Sequence, residues 1–232
     1  YGLFIDGLDP TSSQWWVTEN NGIPGYTYNF DDSKKYYLMN KNAECGLGEG
    51  VLYQRSSTAV AWKPNLTDED INDSAAWYIE FNPQSGYYMF KNAASGKYLT
   101  HNTSNSNVSL KSTSSPGTNE RFQLMPDRTD VTIGAGSSKL TTHGFWFTWT
   151  VNKADFKSMK ANTCGKITGY GSINQTAFDY SDKATNQQWI IISEDELEAY
   201  RNAAISTNIE SVAQEDRTGK SVTGIYTIDG IR

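Results

Sequence analysis

The sequence predicts an all-β protein assembled from three related four-stranded units. Aromatic residues make up 13% of its 232 residues, and short apolar runs alternate with turns rich in Gly, Ser, Thr and Asn. Such a composition indicates many short strands rather than long helices. The strongest evidence is an internal repeat, because repeats of about 40 residues indicate supersecondary units that bury a common core.

Each predicted unit opens with an aromatic or apolar strand that leads through a lysine to a small residue and a glycine. It closes with a large aromatic residue at the start of a second apolar run. One such unit cannot bury its own apolar face, so three of them must share a core. The opening phrases span residues 36–46, 87–96 and 156–165, and the closing aromatic residues are Trp77, Phe122 and Trp189.

Residues 127–154, which lie between the second and third phrases, are interpreted as an inserted hairpin with a glycine-rich turn at 134–138. A second interpretation begins the third repeat at Val131 and treats the phrase at 156 as internal to it. The insertion is favoured because it keeps the spacing from opener to closer similar in all three units. The repeated region 34–193 then divides into repeats at 34–81, 86–126 and 155–193.

The flanking segments carry less information. Residues 1–33 form a lead-in segment or the end of a preceding domain, with apolar patches at 3–5 and 15–17. Residues 194–205 predict one short helix, because Ser193 and Glu196 match a capping box. Residues 206–232 are interpreted as a linker followed by the start of a strand.

Several classes of function are disfavoured. A net charge of −6 and a pI near 5.0 argue against nucleic-acid binding, which needs clustered Lys and Arg. A run of about 20 apolar residues, as a membrane-spanning helix needs, does not occur. The two histidines stand outside metal-binding motifs, and phosphate loops and nucleophile elbows are absent, so we expect no metal, no cofactor and no catalysis. A hydrolase with a dispersed carboxylate pair stays open.

The repeat resembles the ricin-type β-trefoil of ricin B-like lectins and carbohydrate-binding modules. The phrase at 87–99 is similar to a lectin-repeat opener, and Thr185–Trp189 is similar to the closing motif of that family. The resemblance implies three repeats around a pseudo-threefold axis, with six strands in a barrel and three hairpins that cap it. Here it would comprise three four-stranded repeats, the inserted hairpin, and the short C-terminal helix and tail. β-Trefoils serve many unrelated roles, so the resemblance bears more on fold than on function.

The resemblance also implies a sugar pocket in each repeat, beneath the second and third strands. An aromatic face packs on the pyranose while a carboxylate and an amide hold neighbouring hydroxyls. This chain lacks the family's acid in two repeats, where Thr100–Asn102 and 169–171 occupy the place, and Glu49 is the nearest acid in the first. The remaining polar and aromatic candidates are Tyr98, His101 and Asn119 in the second repeat, Tyr170, Asn174 and Gln187 in the third, and Tyr53 and Trp62 in the first.

The aromatic run at 143–149 gives one more candidate. Alternation along a strand directs Phe145, Phe147 and Trp149 to one face and Trp146 to the other. If the first face is core, Trp146 is a candidate exposed platform for a sugar or a neighbouring domain, although packing on the chain's own N-terminal segment is equally compatible.

The sequence therefore predicts a non-catalytic, lectin-like module of a larger secreted protein, with a glycan or polysaccharide and a neighbouring domain of the same parent chain as partners. The alternative is a structural or protein-interaction β-trefoil without sugar affinity. Residues 224–232 resemble the start of a type IX secretion sorting domain, which implies a secreted or cell-surface location in a Gram-negative bacterium.

Overall fold

The computed structural model describes residues 2–6, 14–18, 30–40, 50–64, 71–82, 86–102, 106–133, 140–152, 155–163, 169–179 and 184–198. Strands dominate this part of the chain. Two single-turn 3-10 helices, Thr118–Glu120 and Thr185–Gln187, and one helix over residues 194–198 (α1) accompany them. The strands are β1 (Gly2–Asp6), β2 (Gln14–Thr18), β3 (Tyr36–Asn40), β4 (Gly50–Gln54), β5 (Val60–Pro64), β6 (Ala76–Asn82), β7 (Tyr87–Asn92), β8 (Tyr98–Thr100), β9 (Ser109–Lys111), β10 (Gln123–Ile133), β11 (Leu140–Asn152), β12 (Asp155–Ala161), β13 (Gly171–Ala177) and β14 (Trp189–Ser193).

Six of these strands close into a ring. β3 pairs with β6 and β14, β7 pairs with β6, and β11 pairs with β10 and β14. A bridge between Tyr88 and Phe122 joins β7 to the start of β10 and completes the circuit. The hairpins β4–β5, β8–β9 and β12–β13 branch from the ring. This is the β-trefoil arrangement, and the predicted fold class is confirmed.

The three hairpins also contact one another in a cycle. Ala59 beside β5 bridges Ser109 of β9, Asn107 bridges Asn174 of β13, and Gly171 of β13 pairs with Trp62 of β5. The hairpin of each unit therefore contacts the hairpins of both other units.

The core repeats in layers, because equal register places equivalent side chains at the same height in each unit. Alternation along β7, for example, buries Tyr88, Phe90 and Asn92 and leaves the residues between them half-buried. The pairing register gives four such layers, all buried in one cluster: Leu38, Phe90 and Phe147; Trp77, Phe122 and Trp189; Ile79, Leu124 and Ile191; and Leu52, Leu99 and Met159.

The closing tryptophans tie the ring to the hairpins. The indole N–H of Trp77 donates to the carbonyl of Leu52 at 3.2 Å, and that of Trp189 donates to the carbonyl of Met159 at 3.1 Å. Each bond runs from the fourth strand of a unit to its second strand. A large aromatic side chain buries on the order of 150–250 Å². These two residues therefore fill much of the core and also hydrogen-bond the ring to the hairpins.

Buried asparagines mark the end of the first strand in two units. Asn40 donates to the carbonyls of Asn186 and Gln188, and Asn92 donates to those of Ser74 and Ala76. In the third unit the equivalent residue is Trp149, since Gln123 pairs with Thr148. The closing aromatic residue beside Trp149 is Phe122, which is smaller than the tryptophans that close the other two units. The larger residue at the asparagine position is therefore matched by a smaller residue at the closing position.

The third unit begins earlier than the favoured interpretation placed it. The hairpin between β10 and β11 exists, but β11 is the first strand of the third unit and not part of an insertion over 127–154, because it pairs with β14 as β3 pairs with β6. The phrase at 156–160 belongs to β12, the equivalent of β4. The second interpretation placed this phrase inside the third repeat, but its starting residue, Val131, lies in β10, the fourth strand of the second unit.

The described parts of the flanks contain one hairpin and one helix. β1 pairs with β2 over the two apolar patches of the lead-in segment. Ser193 caps α1: its backbone N–H donates to Glu196 at 2.7 Å, and Glu196 N donates back to Ser193 Oγ at 3.3 Å. The predicted continuation of the helix to 205, the linker and the sorting segment lie outside the described residues. Within those residues, no helix is both long and apolar enough to cross a membrane.

Candidate functional site

A cleft of about 290 Å³ lies between the first and third units. The hairpin β4–β5 forms its floor, the turn before β6 forms one wall, and the residues before β13 form the other. The pseudo-threefold ring brings the β13 segment beside β5, as the pairing of Gly171 with Trp62 shows. The lining residues are Val51, Tyr53, Gln54, Lys63, Asn72, Ser74, Gly169 and Tyr170.

The polar groups of the cleft are arranged by local hydrogen bonds. Asn72 Oδ1 accepts from the backbone N–H of Ser74 at 2.8 Å and from its hydroxyl at 2.5 Å. The carbonyl of Ser74 accepts from Gln54 N at 2.8 Å, which fixes the turn against β4. Gln54 Oε1 is buried and has no hydrogen-bond partner among the described residues. A buried acceptor of this kind gains free energy from a donor that enters the cleft.

Tyr170 forms the far wall together with Arg55. The guanidinium carbon of Arg55 lies 4.8 Å from the centroid of the Tyr170 ring, and Arg55 Nη1 donates to the Tyr170 hydroxyl. The two residues are 115 positions apart in sequence. An exposed arginine at the rim is thus held by an aromatic residue of another unit.

In the second unit, side chains occupy the place that corresponds to the cleft. By register His101 corresponds to Gln54, and Asn119 corresponds to Ser74; the backbone bond from His101 N to the Asn119 carbonyl, at 2.9 Å, repeats the one in the first unit. The imidazole of His101 does not point into a cleft. It stacks on Trp149 with centroids 4.5 Å apart and meets the edge of Phe122.

The environment of His101 keeps it neutral. The side chain is 2% exposed, and burial lowers the pKa of the imidazole to about 4, against smaller opposing effects of the Arg121 and Thr118 backbone and of Glu120. Neither ring nitrogen meets hydrogen-bond geometry with a described group, so these carbonyls are near the ring without binding it well. The charged imidazolium is disfavoured here because it would lose its hydration.

Glu120 occupies the place of the closing-motif glutamine in the second unit. It precedes Phe122 by two residues, as Gln187 precedes Trp189. Its carboxylate is buried and accepts from Thr100 Oγ1 at 3.1 Å, Lys111 Nζ at 3.3 Å and Gly117 N at 2.7 Å. Three donors satisfy it, so it is a structural anchor of the loop before β10.

Tyr98 is buried and does not offer a stacking face. Its hydroxyl donates to both oxygens of Glu80, at 2.9 and 3.0 Å. Burial, assisted by the bond to Glu80, raises the pKa of Tyr98 to about 12.

The other predicted residues are distributed over the molecule. Asn119 is half-buried beside His101. Asn174 donates to Ser106 Oγ at 3.4 Å, and Gln187 Oε1 accepts from Asp179 N at 3.2 Å. The expectation of an exposed platform at Trp146 is wrong, because this residue is 1% exposed and meets the edge of Phe178. The predicted alternation itself is confirmed, since Phe145, Phe147 and Trp149 all lie in the core cluster.

Of the candidates predicted from the sequence, Tyr170 of the third repeat and Tyr53 of the first line the cleft. Sequence reasoning missed Gln54, Asn72 and Ser74. The signal that could have found two of them is repeat equivalence, since Gln54 and Ser74 align with His101 and Asn119. Among the described residues, no three His, Cys, Asp or Glu side chains come together in a group that could hold a metal ion.

Comparison with known proteins adds the fold context. No family model and no curated protein matches the chain. A mosquitocidal holotoxin structure superposes with a TM-score of 0.51 at 15% identity, over 76% of this chain and 19% of the toxin chain. The Haemophilus ducreyi cytolethal distending toxin gives 0.47 at 16% identity, over 72% of this chain and 88% of its own. The Macrolepiota procera ricin B-like lectin, in complex with lactose, gives 0.44 at 13%, over 70% and 97%.

The ring of six strands and the three cap hairpins give this chain a β-trefoil fold. The chain spans about a fifth of the holotoxin that it matches.

Proposed function

We propose that this chain is a non-catalytic carbohydrate-binding module that holds a glycan in the cleft between its first and third units. The observation that carries the proposal is the composition of the cleft: two tyrosines, an unpartnered buried amide oxygen, and an ordered Asn–Ser turn around about 290 Å³. Aromatic faces pack on the C–H surface of a pyranose, and amide and hydroxyl groups bind its hydroxyls.

The size of the cleft suits a short terminal part of a glycan. Its volume is at the lower end of the range of about 300–1,000 Å³ typical of small-molecule sites. Shallow sites of this size bind weakly, and a Kd near 1 mM corresponds to about −4 kcal/mol. A larger parent protein would gain from such a site by keeping another domain close to a glycan surface. A secreted or cell-surface location, in a Gram-negative bacterium, is part of this proposal.

The test is glycan binding by the purified chain, measured on a glycan array and by saturation-transfer NMR, which detects millimolar affinities. Tyr170→Ala and Tyr53→Ala should abolish the signal. Tyr87→Ala, which truncates a half-buried tyrosine of β7 that does not line the cleft, is the matched control and should bind as wild type.

The alternative is a structural or protein-interaction β-trefoil, and one observation favours it: the second unit's equivalent of the cleft is filled by the stack of His101 on Trp149. A blank array with wild type, variants and control all folded by circular dichroism would reject the glycan proposal and leave this alternative. Binding that survives both tyrosine substitutions would place the site elsewhere on the molecule.

A further inference from the structure

The charged side chains that line or border the cleft, among the described residues, are basic, whereas the whole chain is acidic. The whole chain has a net charge of −6. Among the described residues, the lining of the cleft contains Lys63 and no Asp or Glu, and the guanidinium of Arg55 lies at its rim over Tyr170. The exposed guanidinium of Arg55 at this rim favours an anionic ligand.

The acid next in sequence to the cleft is already paired. Asp73 lies between the lining residues Asn72 and Ser74, and its Oδ1 binds Lys35 Nζ at 2.7 Å. Asp73 is also not one of the residues that line the cleft. The described acceptors that remain in the cleft are neutral amide and hydroxyl oxygens.

Arg55 is positioned for recognition of an acid. Its exposed guanidinium is fixed by the Tyr170 ring and hydroxyl, so less rotamer entropy is lost on binding. A guanidinium has five N–H donors in a planar fork, and the bond to Tyr170 uses one of them. The fork matches the paired oxygens of a carboxylate or a sulfate.

We infer that the cleft selects a glycan that carries an acidic group, a carboxylate or a sulfate ester, with the sugar ring between Tyr53 and Tyr170 and the acid on Arg55. This inference rests on the proposed glycan binding and specifies its ligand class. Tyr170 then has two roles, as a wall of the sugar site and as the support of the arginine.

The experiment uses a panel of matched glycans: neutral oligosaccharides, and the same oligosaccharides carrying a uronic or sialic acid or a sulfate ester. The full chain is titrated with the best acidic glycan and with its neutral counterpart at about 50 and 300 mM salt, a range over which the Debye length falls by more than twofold. We expect the neutral glycan to bind at least about tenfold more weakly, and the acidic glycan to lose affinity as salt rises. The sulfated and carboxylated arms identify which acid is preferred.

Two variants of Arg55 and one control test whether the acidic group of the glycan binds at this residue. Arg55→Gln should weaken the acidic glycan about tenfold and leave the neutral one unchanged, as loss of a charge-assisted pair predicts. Arg55→Lys should give an intermediate loss, because the fork is removed while the charge stays. Lys157→Gln, a cation of β12 that does not line the cleft, is the control and should have no effect.

Equal binding of acidic and neutral glycans, or indifference of the acidic glycan to Arg55→Gln, would overturn this inference and leave the glycan proposal standing. Absence of binding to every glycan in the panel would overturn both.

Discussion

The indole of Trp149 lies flat against the imidazole of His101, with ring centroids 4.5 Å apart and planes inclined by 10°. Phe122 meets both rings edge-on, at 5.5 Å from His101 and 5.6 Å from Trp149. These three residues occupy the places that Gln54, Trp77 and Asn92 hold in other parts of the repeat. An aromatic cluster therefore stands in the second unit where the first unit has the polar side chain of Gln54 beside its cleft.

The stability of the protein should depend on pH through His101. The folded state holds the pKa of this imidazole near 4, below its ordinary value near 6.5, so only the unfolded chain binds the proton between those values. Lowering the pH from 6.5 to 4 should therefore reduce the free energy of unfolding, by about 1–3 kcal/mol from this residue.

The measurement is urea unfolding at several pH values for wild type and His101→Phe, which keeps an aromatic ring against Trp149. The difference between the two curves isolates the imidazole from the carboxylates that also titrate at low pH. Parallel curves across this window would contradict the assigned burial of His101.

Glu120 should tolerate conversion to glutamine far better than truncation. Glu120→Ala leaves Thr100, Lys111 and Gly117 without their acceptor and should cost about 3–5 kcal/mol. Glu120→Gln keeps one acceptor oxygen in the shape that Gln187 has in the third unit, and should cost about 1–2 kcal/mol. Chemical denaturation of both variants checks the order; equal losses would mean that the carboxylate charge, and not its shape, holds the loop.

Gly171 should not accept a side chain. A Cβ at this position would lie 2.1 Å from Trp62 Nε1 and 2.4 Å from the Asn162 carbonyl, and Trp62 is fully buried against β13. Gly171→Ala should therefore destabilise the fold by about 1–3 kcal/mol. Gly117→Ala, whose added Cβ would meet its nearest neighbour at 3.4 Å, is the control for thermal unfolding and should cost clearly less. A Gly171→Ala variant as stable as wild type would show that Trp62 can move aside.

Asn92 should be costly to truncate. Its amide donates to the carbonyls of Ser74 and Ala76, at 2.8 and 3.4 Å, inside the protein. Each carbonyl also accepts a backbone N–H, from Gln54 and from Ala93, so Asn92→Ala removes one of two hydrogen bonds at each. At about 0.5–1.5 kcal/mol for each bond, the substitution should cost about 1–3 kcal/mol. Asn119→Ala is the control, since the hydrogen bond from His101 reaches its backbone carbonyl, which the substitution retains. Urea unfolding of the two variants tests this prediction, and we expect a lower midpoint for Asn92→Ala. Similar midpoints for both variants would contradict a stabilising role of the Asn92 amide.

The sequence predicted the fold class because Trp77, Phe122 and Trp189 recur at the same place in each unit and are the bulk of the core. It misplaced the start of the third unit for a physical reason. The phrase at 156–160 resembles an opener by its lysines and aromatic residue, whereas the true first strand, β11, carries Trp149 where the other units have asparagine. The smaller Phe122, directly before the neighbouring strand β10, makes room for Trp149, and no local pattern shows this pairing.

The cleft could be predicted only in part. Tyr170 is recognisable as an aromatic residue near a hairpin, but its neighbours Arg55 and Tyr53 belong to another unit more than a hundred residues away. Similarly, Tyr98 and Trp146 are typical of exposed sugar platforms by residue type, and only the tertiary packing of Glu80 and Phe178 shows that they are buried.

The pairing of β3 with β14 has a consequence for the synthesis of this protein. Residues 36–40 find their partner strand only at 189–193, so the ring cannot close before nearly all of the repeated region has left the ribosome. Contacts of such long sequence separation slow folding, since the entropy of chain closure is lost before they form. The ring of the nascent chain therefore stays open until its last strand emerges. A truncation before Trp189 would remove β14 together with one of the three side chains of the layer formed by Trp77, Phe122 and Trp189.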